Sequence, residues 1–270
     1  GTDPGGLALN GAGTRLYVAS TDTDGVTVLN TTTGATVANI PVGSKPVGIA
    51  YSPTDDRVYV ANRDSATVSV IDAATNSVVG TIAVGSSPQQ LVLNADGSRL
   101  YVTNSGGNSV SVIDTATRDV IATIAVGPSP NAIALSRDGS VGYVVNADNT
   151  VSVLNLINNT KVTGTINTET GPLGAVAVSL DGGTVYVTNS TGATLRTITM
   201  THLVEPPPAT ANPNTGPMFE DFDGPAGTKA DAAMWNYALG GGGDGRVQLY
   251  TDSARNASLD GNGNLVITAI

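Results

Sequence analysis

The 270-residue chain contains no cysteine and one histidine, His202. The first absence removes disulfides, thiolate metal sites and cysteine nucleophiles together, while fitting a cytosolic and a bacterial exported protein equally well. The second leaves a Ser-His-Asp triad only His202 to use. No nucleophile motif stands near it and it opens a proline-rich stretch, so it reads as a solvated linker residue. Cations are also scarce: 12 Lys and Arg face 22 Asp and Glu, a net charge of −10. A protein that reads the nucleic-acid backbone needs clustered cations to displace counterions from phosphate, so nucleic acid is excluded as a partner. No apolar run approaches the roughly 18 to 20 residues that span a bilayer, and no transmembrane segment is expected. Charged residues are only 13% and aromatics 4%, against 40% apolar residues, 33 Gly and 14 Pro. Such a profile suits an all-β chain of short Val-, Ile- and Thr-rich strands joined by many tight turns.

What the chain does have is a repeat. Pro4, Pro46, Pro88, Pro130 and Pro172 stand 42 positions apart, and Tyr17, Tyr59, Tyr101, Tyr143 and Tyr186 run in phase with them, slipping by one residue in the last copy. Each repeat thereby contributes one aromatic expected to be buried. The clearest copy, Pro46 to Ser87, resolves into four strand-length runs: Val47 to Tyr51, Arg57 to Ala61, Thr67 to Ile71 and Val78 to Val84. Asp96-Gly97, Asp138-Gly139 and Asp181-Gly182 recur between the first two runs, where glycine supplies positive φ and aspartate bonds its own downstream backbone. After the third run come Asp72-Ala-Ala-Thr75, Asp114-Thr-Ala-Thr117 and Asn30-Thr-Thr-Thr33, a spacing that lets the leading side-chain oxygen cap a turn.

Four antiparallel strands per repeat of this length make the blade of a β-propeller, a sheet too small to stand alone that hides its faces against its neighbours. Five blades are expected over residues 1–200. The fifth has no fourth strand before the prolines, and a strand from upstream of Gly1 is expected to fill that gap. Because the chain opens at Gly1 in mid-repeat, with no initiator Met or signal-like run, the ring is expected to be truncated and the chain to be a piece of a longer one. Tyr59-Val-Ala-Asn62, Tyr101-Val-Thr-Asn104, Tyr143-Val-Val-Asn146 and Tyr186-Val-Thr-Asn189, with Val68-Ser-Val-Ile-Asp72 and Val110-Ser-Val-Ile-Asp114, resemble the YVTN family of propeller repeats. The resemblance implies the fold and often a seven-bladed ring. It selects no ligand, since propellers host many activities.

Residues 201–217 break the period with Glu205-Pro-Pro-Pro208 and Asn212-Pro-Asn-Thr-Gly-Pro217, a semi-extended linker. Residues 218–270 then hold both phenylalanines, Phe219 and Phe222, and the one tryptophan, Trp235. Phe219-Glu-Asp-Phe-Asp-Gly-Pro225, Met234-Trp-Asn-Tyr237, Gly240 to Gly243, Gln248-Leu-Tyr-Thr-Asp-Ser253 and Leu259-Asp-Gly-Asn-Gly-Asn-Leu-Val-Ile267 resemble the start of family-16 glycoside hydrolases. The resemblance implies the first strands of a β-jelly-roll and a secreted parent that cleaves β-glucan-type polysaccharide, placing the protein outside the cell or on its surface. Retaining glycosidases use two carboxyl groups about 5 to 5.5 Å apart. The family carries them on one strand as Glu-x-Asp-x-x-Glu or a close variant. The only glutamates here, Glu169, Glu205 and Glu220, form no such motif, so no catalytic residue is assigned and the catalytic strand is expected beyond Ile270. Glu220, Asp221 and Asp223 read as a structural start. Where many members have Trp-Gly-Asn and a Glu, this chain has Asp244-Gly-Arg-Val-Gln248, so Arg246 and Gln248 are candidates for sugar hydroxyls against a plain surface role.

In a propeller the first strand of each blade lies nearest the axis. Val47-Gly48 and Leu173-Gly174 are bland there, whereas Gln89, Gln90 and Asn131 are polar and become candidate ligand contacts, the competing role being solvation by ordered water. No acidic residues converge on these positions, which argues against a metal-dependent lactonase. Gly240 to Gly243 lacks the Lys-Ser/Thr of a phosphate loop. No cofactor is expected. Asp260-Gly-Asn-Gly-Asn264 starts like a calcium loop but lacks the closing Glu; a turn explains it, with weak structural calcium as the alternative. Asn30, Asn158, Asn189 and Asn256 fit the glycosylation pattern. Two functions from different classes remain. One is a family-16-like hydrolase with the propeller as accessory domain; the other is a non-catalytic surface propeller that binds protein or glycan partners.

Overall fold

A computed structural model of the protein describes residues 3–168, 173–189, 194–199, 257–259 and 265–267. Its internal contacts divide the chain into two units, Gly1–Val204 and Glu205–Ile270. In the first, each repeat is a separate antiparallel meander. Blade 1 comprises β1 (Pro4–Leu9), β2 (Arg15–Ser20), β3 (Gly25–Asn30) and β4 (Thr36–Pro41), with a 3-10 turn at Thr21–Thr23. Blade 2 comprises β5 (Pro46–Ser52), β6 (Arg57–Asn62), β7 (Thr67–Asp72) and β8 (Ser77–Ala83). Blade 3 comprises β9 (Pro88–Leu93), β10 (Arg99–Asn104), β11 (Ser109–Asp114) and β12 (Val120–Ala125). Blade 4 comprises β13 (Ala132–Leu135), β14 (Val141–Val145), β15 (Thr150–Asn155) and β16 (Thr160–Asn167). Blade 5 has three strands among the described residues, β17 (Leu173–Val178), β18 (Thr184–Asn189) and β19 (Thr194–Thr199). The architecture is the all-β propeller type that the repeat implies, with strand ends within a residue or so of the sequence expectation.

Proline opens β1, β5 and β9, a position where its missing N–H costs no ladder bond, and a register shift comes after it in each of these strands. A second shift recurs between the third and fourth strands of blades 1 to 4. Both add twist to a narrow sheet. The expected turn chemistry is present: Gly97, Gly139 and Gly182 have φ of 74°, 72° and 71°, and Asp72 Oδ1 accepts from Thr75 N–H at 2.8 Å.

The sheets pack side by side through alternating side chains. Tyr17, Val26, Val28 and Ile40 of blade 1 meet Val58, Val60 and Ile71 of blade 2. Tyr59, Val68 and Val70 of blade 2 meet Leu100, Val102 and Ile113 of blade 3, and the same set recurs between blades 3 and 4 and between 4 and 5. The core is therefore divided among blade interfaces. Inner strands β1, β5, β9, β13 and β17 touch in succession, while outer strands such as β4 and β8 touch much less, which is how wedge-shaped sheets fan about an axis. Tyr17, Tyr59, Tyr101 and Tyr143 are buried, but Tyr186 is 39% exposed, since among the described residues no further blade packs on its face of blade 5. The expectation of one buried tyrosine per repeat is corrected at that position.

The last residue of the Tyr-Val-x-Asn run is a buried anchor. Nδ2 of Asn62 donates to Thr67 Oγ1 at 3.0 Å and Ser69 Oγ at 2.9 Å, and Asn104 and Asn146 repeat the pattern on Ser109 and Ser111 and on Thr150 and Ser152. Gly43, Gly85 and Gly127, in the connections between blades, lie so close that an added Cβ would stand 2.7, 2.7 and 2.5 Å from these amides. Only glycine fits over the asparagine.

In the second unit β20 (Ala257–Leu259) pairs antiparallel with β21 (Leu265–Ile267). The linker, His202, the three glutamates, Arg246, Gln248 and Asp260 to Asn264 lie outside the described residues, as do the other jelly-roll segments. Asn189, one of the glycosylation-pattern asparagines, is buried.

Candidate functional site

The inner strands read PGGLAL, PVGIAYS, PQQLVL, AIAL and LGAVAV and carry no ionisable group except the Tyr51 phenol. How closely they approach is set by the residues just after the proline. At Gly6 an added Cβ would lie 2.7 Å from Val47 O, and at Gly48 it would lie 2.2 Å from Gln89 O, so blades 1 to 3 are joined here by direct backbone apposition. Position 90, 42 residues after Gly48, holds glutamine instead, and the contact changes character. Gln90 Oε1 accepts from Ile133 N–H of blade 4 at 2.7 Å. Asn131 Nδ2 in turn donates to Gly174 O of blade 5 at 2.9 Å, and Gln89 Nε2 donates to Ser105 Oγ at 3.2 Å.

Thr103 is the hub that the sequence reading missed. Its buried hydroxyl accepts from Gln90 N–H at 3.1 Å and points donor capacity at the carbonyl oxygens of Gln90 (3.3 Å) and Asn131 (3.2 Å). The available signal was the Thr of Tyr101-Val-Thr-Asn104, where blades 2 and 4 have Ala61 and Val145. Thr188 of blade 5 plays a related part, accepting from Ala175 N–H at 2.8 Å.

Gln89, Gln90 and Asn131 thus occupy one neighbourhood on β9 and the segment entering β13; Gln90 and Asn131 are partly committed to holding blades 3, 4 and 5 together, while the Gln89 amide bonds within blade 3. Gln90 and Asn131 are exposed. Each amide keeps capacity that no bond among the described residues uses: both hydrogens of Gln90 Nε2, the Asn131 Oδ1 acceptor and the Gln89 Oε1 acceptor. The result is a neutral surface offering donors and acceptors side by side.

Charge is gathered elsewhere, at the turns. Arg57 pairs with Asp72 at 2.9 Å and Arg99 with Asp114 at 2.6 Å, in equivalent places on blades 2 and 3. Tyr59 donates to Asp55 at 2.9 Å and Tyr51 to Asp56 at 2.9 Å. Burial first, then the Asp55 hydrogen bond, pushes the Tyr59 phenol far above its ordinary range. The Asp72 carboxyl is held low by the Thr75 backbone N–H and then the Thr75 hydroxyl. These groups staple hairpins, and among the described residues no three His, Asp or Glu converge as metal ligands would. Among those residues, too, no helix is long and apolar enough to cross a membrane.

The sheet array is shared with solved proteins. A chain of hydrazine synthase from Kuenenia stuttgartiensis matches with a TM-score of 0.65 and 24% identity over 68% of this chain and 55% of that one. A functionally unknown protein from Desulfotomaculum acetoxidans DSM 771 matches with a TM-score of 0.61 and 20% identity over 73% and 69%. At these identities the likeness concerns the fold, which is propeller-like, and the chain spans about half the length of the hydrazine synthase chain. No family model and no curated protein matches the sequence.

Proposed function

We propose that this chain comes from a secreted or cell-surface carbohydrate-active protein in which the propeller binds a neutral, β-glucan-type polysaccharide as an accessory domain. The observation that carries the reading is the unspent hydrogen-bonding capacity of Gln89, Gln90 and Asn131 on strands without charge. Sugar hydroxyls donate and accept at once and carry no charge, so a mixed row of amides suits them better than it suits phosphate, carboxylate or metal. The likeness of residues 218–270 to family-16 glycoside hydrolases supplies the second support. On that likeness the parent hydrolyses O-glycosidic bonds with two carboxylates on a strand downstream of Ile270, one as nucleophile and one as acid/base. Arg246 and Gln248 then serve as sugar contacts of the tail.

The test is calorimetric titration of the full chain with soluble β-1,3-gluco-oligosaccharides, repeated on Gln90→Ala/Asn131→Ala after urea unfolding confirms that the variant is folded. Saturable binding that weakens at least about tenfold in the variant supports the reading, since lost hydrogen bonds to a ligand cost about 1.4 kcal/mol per decade. A folded wild-type chain that binds no neutral glucan overturns it. The competing reading, a surface propeller for protein partners, draws on Val37, Val79 and Ile121, exposed at the same position on three outer strands. A full reading frame without a Glu-x-Asp-x-x-Glu strand after Ile270 would favour it.

A further inference from the structure

The residue two places after the repeat tyrosine is Ala19, Ala61 and Val145 in blades 1, 2 and 4, but threonine in blades 3 and 5, as Thr103 and Thr188. Those two blades flank Asn131, and both threonines bear on it. Thr103 of β10 is fully buried, with Asn131 O 3.2 Å from its hydroxyl. Thr188 of β18 accepts from Ala175 N–H at 2.8 Å, holding the stretch of β17 whose Gly174 O receives the Asn131 amide. Within blade 4 the Asn131 backbone is tied a second time, its N–H donating to Val145 O at 3.0 Å. Thr103 also accepts from Gln90 N–H at 3.1 Å, so one hydroxyl touches the backbone of both residues whose amides cross the seams to blades 4 and 5.

We infer that Thr103 is the positioning residue of this surface: its hydroxyl sets where the free donors of Gln90 stand relative to the free acceptor of Asn131. The hydroxyl has one hydrogen and two carbonyls in reach, Gln90 O at 3.3 Å and Asn131 O at 3.2 Å, while its oxygen receives Gln90 N–H. It therefore ties the irregular stretch of β9, where the register with β10 shifts, to the segment entering β13. A hydrogen-bonded ligand gains affinity when donors and acceptors are already in place, because less ordering is left to the binding step. The fold itself does not demand the hydroxyl, since Ala61 and Val145 fill the same buried place in blades 2 and 4. The consequence for binding rests on the reading of Gln90 and Asn131 as glucan contacts; the positioning of their amides does not.

Nuclear magnetic resonance on the isotopically labelled full chain tests this through the side-chain amide signals of Gln90 and Asn131, assigned by their loss in Gln90→Ala and Asn131→Ala. Thr103→Val keeps the shape and removes the hydroxyl; Thr103→Ala, with the residue that blade 2 uses, takes its place if the valine variant does not fold. Without the hydroxyl both amide signals should shift and the Asn131 amide hydrogens should exchange faster with solvent, and Thr103→Ser should restore both. Affinity for soluble β-1,3-gluco-oligosaccharides should fall about tenfold with valine, roughly the worth of one hydrogen bond, and recover with serine. Amide signals that stay in place without the hydroxyl overturn the inference, even where the wild type binds glucan. Changes that serine does not reverse overturn it as well, since they report packing and not the hydroxyl. Unchanged affinity in a variant whose amides have moved removes the consequence for binding. A wild-type chain whose amides respond to Thr103→Val but which binds no glucan overturns the glucan reading and leaves the positioning role standing.

Discussion

Ala66→Asn should stabilise the propeller by about 1 kcal/mol, and the structure supplies both parts of that figure. Asp24, Ala66, Asn108 and Asn149 occupy the same place before the third strand of blades 1 to 4, all with φ between 49° and 65°. Their carbonyls do the same work, Ala66 O accepting from Val84 N–H at 3.0 Å as Asn108 O does from Val126 N–H. Their side chains do not. Asp24 Oδ1 accepts from Lys45 N–H at 2.8 Å and Asn108 Oδ1 from Ser129 N–H at 2.9 Å, each bracing the residue before a blade-opening proline. A methyl group at position 66 offers nothing to Ser87, the equivalent residue, which is itself held at φ 52°. The left-handed region costs an L-residue about 1 to 2 kcal/mol, less for Asn, and a solvent-edge hydrogen bond adds about 0.5 to 1 kcal/mol. Ordering the new side chain offsets part of that sum.

Equilibrium urea unfolding should show the midpoint of A66N raised without a change in slope, and the melting temperature should rise by about 2 to 4 °C for a unit of this size. Ala66→Gly relieves φ but adds unfolded-state entropy and no acceptor, so it should gain less. Asn108→Ala should lose about what A66N gains. If A66G matches or exceeds A66N, or if Asn108→Ala is silent, the bracing bond is energetically empty and the reasoning fails.

Gly85→Ala places a Cβ 2.7 Å from the Asn104 amide and should cost about 1 to 3 kcal/mol by overpacking in the same urea assay; a neutral outcome would mean the connection yields freely. Acid should weaken the fold. Asp96 is held below its ordinary range by the Ser98 side chain and then its N–H, and Asp181 by the Ser179 hydroxyl and then Gly183 N–H. Their stabilisation is complete above about pH 4 and is lost as pH falls through the lowered values, visible as a falling urea midpoint that neutral Asp96→Asn no longer shares in full. Alkali should do the same from the other side. Burial raises Tyr17, Tyr101 and Tyr143, so the protonated form is favoured by the fold, its contribution is whole below about pH 10, and it is lost as pH climbs through the raised values. Phenolate absorbance and loss of strand signal should therefore rise together above pH 10; phenolate formation by all eight tyrosines with strands intact would refute the burial argument.

The parts of the fold that were legible are those written along the chain. The proline and tyrosine ladders, the Asp-Gly turns and the Asp72-Ala-Ala-Thr75 cap are local, and local chemistry survives into the structure unchanged. The parts that were not legible act between repeats. Asn62 reads as the end of a motif, and nothing near it in sequence says that Gly43 will sit on its amide. Ala66 and Lys45 stand at φ 53° and 51° although neither residue type carries a glycine-like signal. The candidate site divides the same way. That Gln89, Gln90 and Asn131 are polar amid apolar strands was visible; that Gln90 would reach Ile133 and Asn131 would reach Gly174, each 43 residues on, was not. Tyr186 shows the limit of periodicity, since a residue's burial depends on the next blade along and not on its own copy of the pattern.

Uniform interfaces also bear on how such a chain changes over generations. Neighbouring copies similar in both length and wording invite misaligned recombination, and an event that inserts or deletes one whole copy leaves every remaining seam matched, Tyr face to Leu/Val face. The number of sheets is then a quantity that inheritance can adjust in single steps, while the Gln90 and Asn131 seams, which differ from their glycine counterparts, mark the places where a copy can no longer be exchanged without loss.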